Sequence, residues 1–115
     1  MAITAVYAGF KTGWNQREVR IDAKPATNLK VGQLCTYNSS THVLSAKTTD
    51  TFAVGDVIIA QSDMTIAHGH ADVEHHDYNY DDTVAASTSA EKAVMVFLVT
   101  DPSDIVKTGQ VGSAT

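Results

Sequence analysis

The chain holds one cysteine, two prolines and one tryptophan among 115 residues. A single thiol excludes an intrachain disulfide, so cystine staples do not hold this fold. Cys35 lies in a strand-like stretch and reads as a small buried hydrophobe, compatible with a reducing compartment. Long hydrophobic runs are missing too. The strongest one, Ala93–Val99, is far short of the about 20 apolar residues that a membrane-spanning helix needs. The opening Met-Ala-Ile-Thr-Ala-Val-Tyr has neither the basic start nor the apolar middle of a signal peptide. The expectation is a soluble protein made in a cytosol.

Positive charge is scarce. Lys and Arg total 8 against 13 Asp and Glu, a formal net charge of -5. Such a chain repels phosphate backbones and is not drawn to anionic membranes, which argues against nucleic acid and membrane as partners. The chemical signatures of catalysis are absent as well. There is no Gly-x-Gly-x-x-Gly or Walker loop, no Gly-x-Ser-x-Gly elbow and no His-Glu-x-x-His. The residues therefore point to a protein that is not an enzyme, with no catalytic residues and no cofactor.

Strand signals dominate what is there. Hydrophobic residues make up 43% and charged residues 18% of the chain, enough for one domain with its own core. In Glu18–Ala23, Val19, Ile21 and Ala23 alternate with Glu18, Arg20 and Asp22, the period of a half-buried strand ended by Lys24-Pro25. Gln33–Tyr37, the turn Asn38-Ser39-Ser40-Thr41 and His42–Lys47 read as a hairpin, and Phe52–Ala60 returns through a Val-Gly step. Ala93–Val99 is β-branched and reads as a buried strand, so Val94, Val96 and Leu98 join Val19 and Ile21 as core. Thr88-Ser89-Ala90-Glu91 matches a capping box that could open a short helix.

The sum is roughly six or seven short strands. That means an all-β fold, a small single-domain β-barrel or β-sandwich with an N-terminal arm and one long His/Asp-rich loop. The expected divisions are residues 1–16 as an arm or edge strand, 17–106 as the β-domain and 107–115 as a flexible C-terminal tail.

Two stretches stand out as contact surfaces. A free arm over Met1–Gln16 would expose Ile3, Val6, Tyr7, Phe10 and Trp14, so it either adds a strand to this domain or docks on a partner through Val6, Tyr7, Phe10 and Trp14. The other is Ala67–Asp82, poor in aliphatic residues and rich in His and Asp. His68, His70, His75 and His76 fall close together there, among Asp72, Glu74 and Asp77. On an extended strand His68 and His70 would share a face, and two imidazoles with a carboxylate could hold Zn²⁺ or Ni²⁺, although no known zinc spacing is matched. The same histidines could instead be exposed surface groups or charge together below about pH 6.5. Tyr78 and Tyr80, in Tyr-Asn-Tyr-Asp-Asp, suit a recognition surface or simply pack on the sheet.

One stretch also carries a resemblance. Leu29-Lys-Val-Gly-Gln-Leu, then Tyr37, a polar turn, Val43-Leu44 and Ala53-Val54-Gly55-Asp56-Val57-Ile58 resemble the pattern of small tailed-phage virion proteins that decorate or cement the capsid, head-fibre-type proteins among them. The match covers roughly Asn28–Ala60, with a looser echo in Ala93–Asp101. It implies a structural protein that binds assembled major capsid protein from outside and stabilises the shell. It also implies homo-oligomers, often trimers, and a place on the virion surface after synthesis in the host cytoplasm. The alternative from the residues is a β-domain binding module whose 67–82 loop recognises a metal, a glycan or a host surface.

Overall fold

The computed structural model describes residues 2–13, 16–63 and 83–113. They form nine strands: β1 (Ala5–Phe10), β2 (Val19–Pro25), β3 (Leu29–Lys30), β4 (Leu34–Tyr37), β5 (Val43–Ala46), β6 (Asp56–Ile59), β7 (Thr83–Val84), β8 (Lys92–Leu98) and β9 (Ile105–Val111). Five of them close into a barrel in the order β2-β5-β4-β6-β8, while β1 with β9 and β3 with β7 make two-stranded pairs. Of the two expected architectures, the fold is the barrel. Closure removes sheet edges, which suits a chain with few charges to guard them.

The barrel closes through its one parallel pair, β2 with β5. The Lys24 and Ala26 N–H groups donate to the carbonyls of His42 (2.6 Å) and Leu44 (2.9 Å). Pro25, between them, would point its missing donor away from β5, so it can be the last residue of β2, where the sequence ends the strand. The β4–β5 hairpin turns where the sequence suggests. Asn38 Oδ1 accepts from the Ser40 and Thr41 N–H groups at 2.9 and 3.2 Å, and His42 takes a positive φ of 65° to re-enter the ladder.

One turn design is used twice. Lys30-Val31-Gly32-Gln33 and Ala53-Val54-Gly55-Asp56 each bond the fourth N–H to the first carbonyl, at 3.1 Å in both. In each the third residue is glycine, at φ 88° and 98°, where a side chain would be strained. In each the fourth side chain reaches back to the first N–H: Gln33 Oε1 to Lys30 at 2.9 Å and Asp56 Oδ2 to Ala53 at 3.0 Å. Among the described residues Gln33 and Asp56 are the buried polar ones, and this back-bond satisfies part of each. Asp56 also pairs with Lys47 Nζ, and the two side chains are only 7% and 14% exposed.

Alternation along the strands builds two apolar layers. Ala23, Leu29, Cys35, Leu44, Val57, Ile59, Val84, Val94 and Val96 fill the barrel. Leu34 and Ile58 point the other way, outward, where Ile3, Val6, Ala8, Phe10, Val99 and Ile105 cover them. The β1–β9 ribbon is thus a lid on the outer face of β4 and β6, which is why every residue of β6 is buried. Phe10 meets Phe97 edge to face, with ring centroids 5.7 Å apart.

Three expectations need correction. Residues 107–111 are not tail: β9 runs through Val111 and pairs antiparallel with β1. Its alternation is hidden by a bulge at Thr108, which lies between the pairs Tyr7–Gly109 and Ala8–Lys107 and shifts the sides of the residues beyond it. Leu98 is not core. As the last residue of β8 it is 41% exposed, whereas Val94 and Val96 are buried. Thr88–Ala90 forms a bend rather than a helix, and the described residues contain no α-helix. Ser87 Oγ bonds to the Ala90 carbonyl at 2.6 Å, and the β8 ladder, in register from Lys92, takes the backbone that a helix would need.

Candidate functional site

The N-terminal candidates are largely turned inward. Val6 is fully buried and Phe10 is 9% exposed, both in the layer beneath the ribbon. A partner could reach them only if β1 left the barrel. Tyr7, on the opposite side of β1, is half-buried. It packs beside Gly32, where an added methyl would sit 3.7 Å from its ring. Trp14, Tyr78, Tyr80, His68, His70, His75 and His76 lie outside the described residues. Among the described residues no group of three His, Cys, Asp or Glu side chains is placed to hold a metal.

Parity along β1 separates its two faces. Val6, Ala8 and Phe10 face the barrel, so Ala5, Tyr7 and Gly9 face away. Their partners across the ladder are Val111, Gly109 and Val106. The side of the ribbon away from the barrel therefore carries Ala5, Tyr7, Gly9, Val106, Gly109 and Val111, none of them charged, but Ala5 and Gly9 are buried and Tyr7 and Gly109 half-buried. Val106 is 41% and Val111 53% exposed. The sequence reading singled out neither valine as a contact residue, and it placed Val111 in a flexible tail. The signal that finds them is the pairing of the two chain ends, which no local pattern contains.

A second feature sits at the base of the 64–82 segment. The Asp63 N–H donates to the Thr83 carbonyl at 3.1 Å. Lys92 Nζ bonds Asp63 Oδ2 at 2.6 Å and the Ala85 carbonyl at 2.9 Å, while the Ala85 N–H returns to Asp63 Oδ2 at 2.8 Å. Short β3–β7 pairing, Leu29 with Val84 and Lys30 with Thr83, continues the clamp. Both flanks of the segment are thereby fixed to the barrel at one place. Close by along β8, Glu91 Oε2 lies 3.7 Å from His42 Nε2. His42 Nδ1 in turn is 3.1 Å from both Tyr37 Oη and the Asp22 carbonyl, and the Tyr37 hydroxyl donates to that carbonyl at 2.8 Å.

Cys35, the one thiol, has no exposure to solvent. Burial pushes its pKa up to about 12, and the Asp56 carboxylate adds to the shift. A thiol held protonated in this way is neither a nucleophile nor a ready metal ligand at neutral pH.

No family model, curated protein or solved structure matches the chain.

Proposed function

We propose that this chain is a structural virion protein that binds the outside of an assembled phage capsid and stabilises it. The partner is the major capsid protein, and the chain acts as a homo-oligomer on the virion surface. The observation that supports this most is a closed barrel, packed on both sides of β4 and β6, that carries exposed apolar side chains on its outside: Val54, Leu98, Val106 and Val111. A rigid body with apolar groups on its surface suits protein contact, and repetition on a shell makes a modest contact effective. The resemblance carried by Leu29–Ala60 supplies the class of partner, and that stretch forms β3 to β6. Electron microscopy of native particles tests the reading. Density for the barrel outside the shell is expected, and purified virions without this protein would end the proposal.

A specific observation favours a second reading, a β-domain binding module that uses the 67–82 loop to recognise a metal, a glycan or a host surface. The clamp of Asp63, Thr83, Ala85 and Lys92 gives that segment a fixed base on the barrel. Melting curves with Zn²⁺ and with EDTA test its metal version, because an ion bound only by the native state raises the melting temperature. Identical curves would remove it.

A further inference from the structure

We propose that His42 is a proton-operated latch on the parallel seam of the barrel, tightening the seam in acid and easing it at neutral pH. The seam is the shortest ladder in the barrel. β2 and β5 pair only at Lys24–Val43 and Pro25–Leu44, whereas β2 and β8 pair from Val19–Val96 to Ala23–Lys92. Parallel pairing is slightly weaker per residue than antiparallel, and Pro25 brings no donor. Opening there would leave β2 and β5 as free edges, the form of β-structure that takes up further strands.

Side chains extend the seam where its ladder runs out. The Lys24 N–H bonds the His42 carbonyl at 2.6 Å. Beyond that bond the Asp22 carbonyl takes the Tyr37 hydroxyl at 2.8 Å and His42 Nδ1 at 3.1 Å. Both reach it from across the seam, since Tyr37 ends β4 and His42 leads into β5. A carbonyl oxygen only accepts, so Nδ1 carries its hydrogen and gives it to Asp22. In the neutral ring Nε2 is then a bare acceptor, and what faces it is another acceptor, Glu91 Oε2 at 3.7 Å. A proton on Nε2 turns that contact into an ion pair. Glu91 stands just before β8, which is laddered to β2, so this pair crosses the seam as well.

The remaining groups around the ring are accounted for. β2 supplies Lys24 and Asp22, whose carboxylate is paired with Arg20 at 3.1 Å. β4 supplies Tyr37, and the Lys92 ammonium at the start of β8 is taken by Asp63 at 2.6 Å. β5 and the turn 38–41 bring no charged side chain. Carboxylates, tyrosines, lysines and arginines ordinarily keep one charge state from about pH 5.5 to 7.5, so the imidazole is the group here that changes. The contact with Glu91 needs the charged ring. Its contribution is therefore whole below about pH 6 and fades as the pH rises past about 7. The two side chains are 39% and 42% exposed, so the effect has the size of a solvated pair.

The test is amide exchange of the full-length chain at about pH 5.5 and 7.5, corrected for the intrinsic pH dependence of exchange. The Lys24 and Ala26 N–H groups bridge the seam. Their protection should fall about twofold to fivefold from the lower pH to the higher. The Ala8 N–H, bonded to the Gly32 carbonyl at 3.0 Å away from the seam, should not follow. Glu91→Gln keeps the size of the side chain and removes its charge. His42→Asn tolerates the φ of 65° and keeps a donor, but does not titrate. Each should abolish the step. Tyr37→Phe should lower seam protection at both pH values and keep the step. Should His42→Asn misfold, Glu91→Gln carries the test alone, at an exposed residue outside the strands. A parent chain without the step overturns the latch. A step that persists in either variant also overturns it, because His68, His70, His75 and His76 remain there and would then own the step. A step of equal size at Ala8 would place the effect on unfolding of the whole chain and overturn the seam as its site.

Discussion

The barrel interior and the layer between barrel and ribbon are both apolar and well buried, yet they draw on different parts of the chain. The interior is filled from Ala23 to Val96. The outer layer needs Ile3, Val6, Ala8 and Phe10 from one end and Val99 and Ile105 from the other. β4 and β6 serve both, with Cys35, Val57 and Ile59 inside and Leu34 and Ile58 outside. The difference teaches that the ribbon is a second structural layer, fastened by the two chain ends, on a barrel whose interior is filled without them. It also explains how so small a chain buries alternate residues on both sides of its central strands.

The largest effect should come where the two layers are joined. Asp56 begins β6, accepts the Ala53 N–H at 3.0 Å and pairs with Lys47. Asp56→Ala leaves a mostly buried ammonium without its carboxylate and a backbone donor without its acceptor. The expected loss is about 3–5 kcal/mol in urea unfolding, and replacing both partners together, Lys47→Met with Asp56→Leu, should recover much of it. A loss below about 1 kcal/mol would mean that water or another group takes over the pairing.

Neighbouring isoleucines make the sharpest comparison. Ile58 and Ile59 are 0% and 1% exposed, one in each layer. Ile58→Ala and Ile59→Ala should each cost about 2–5 kcal/mol. Their amide exchange should differ. Ile59→Ala should loosen the whole barrel, whereas Ile58→Ala should speed exchange in β1 and β9 and leave β2, β5 and β8 protected. The same exchange pattern in both variants would break the comparison and make the two layers one cooperative unit.

What could be read from the sequence follows the same division. β2, the β4–β5 hairpin and β8 announce themselves because each alternates within a few residues and meets the core it faces. Even there the local pattern does not see where the buried part of a strand stops, so Leu98 is read as core, although Lys24-Pro25 does end β2. The ribbon is hidden for a different physical reason. β1 and β9 find each other across nearly the whole chain, Ala5 opposite Val111, and the bulge at Thr108 reverses the alternation midway along β9. A period-two reading cannot survive that reversal. The candidate face was half legible for the same cause: Tyr7 was singled out, while Val106 and Val111 became visible only with their partners.

A smaller effect reports on the barrel interior through its thiol. The Cys35 thiol is raised from an ordinary 9.0 to about 12. Between those values the folded chain keeps the proton and the unfolded chain has lost it. Raising the pH therefore favours unfolding, and the contribution is intact below pH 9. Full titration corresponds to about 1.4 kcal/mol for each pH unit. Cys35→Ala should remove that part of the slope, leaving what lysines and tyrosines contribute. Equal slopes in parent and variant above pH 9 would show that the interior opens to solvent before the thiol is tested.

The smallest effect is expected from the largest change in sequence. Replacing residues 64–82 by a short Gly-Ser linker removes the His-rich stretch but leaves Asp63, Thr83, Ala85 and Lys92 in place. Those four already hold the flanks together, through the 3.1 Å bond from the Asp63 N–H to the Thr83 carbonyl and the Lys92–Asp63 pair at 2.6 Å. Closing a shorter loop recovers about 0.6 kcal/mol of chain entropy for each halving of its length. The melting temperature should therefore stay level or rise slightly, with the strand signal in circular dichroism retained. A shortened chain that fails to fold would mean that the 64–82 segment is a third support of the barrel. The comparison would then run among three regions, and the clamp at Asp63 and Lys92 would be one end of a structural contact rather than a base for presenting a loop.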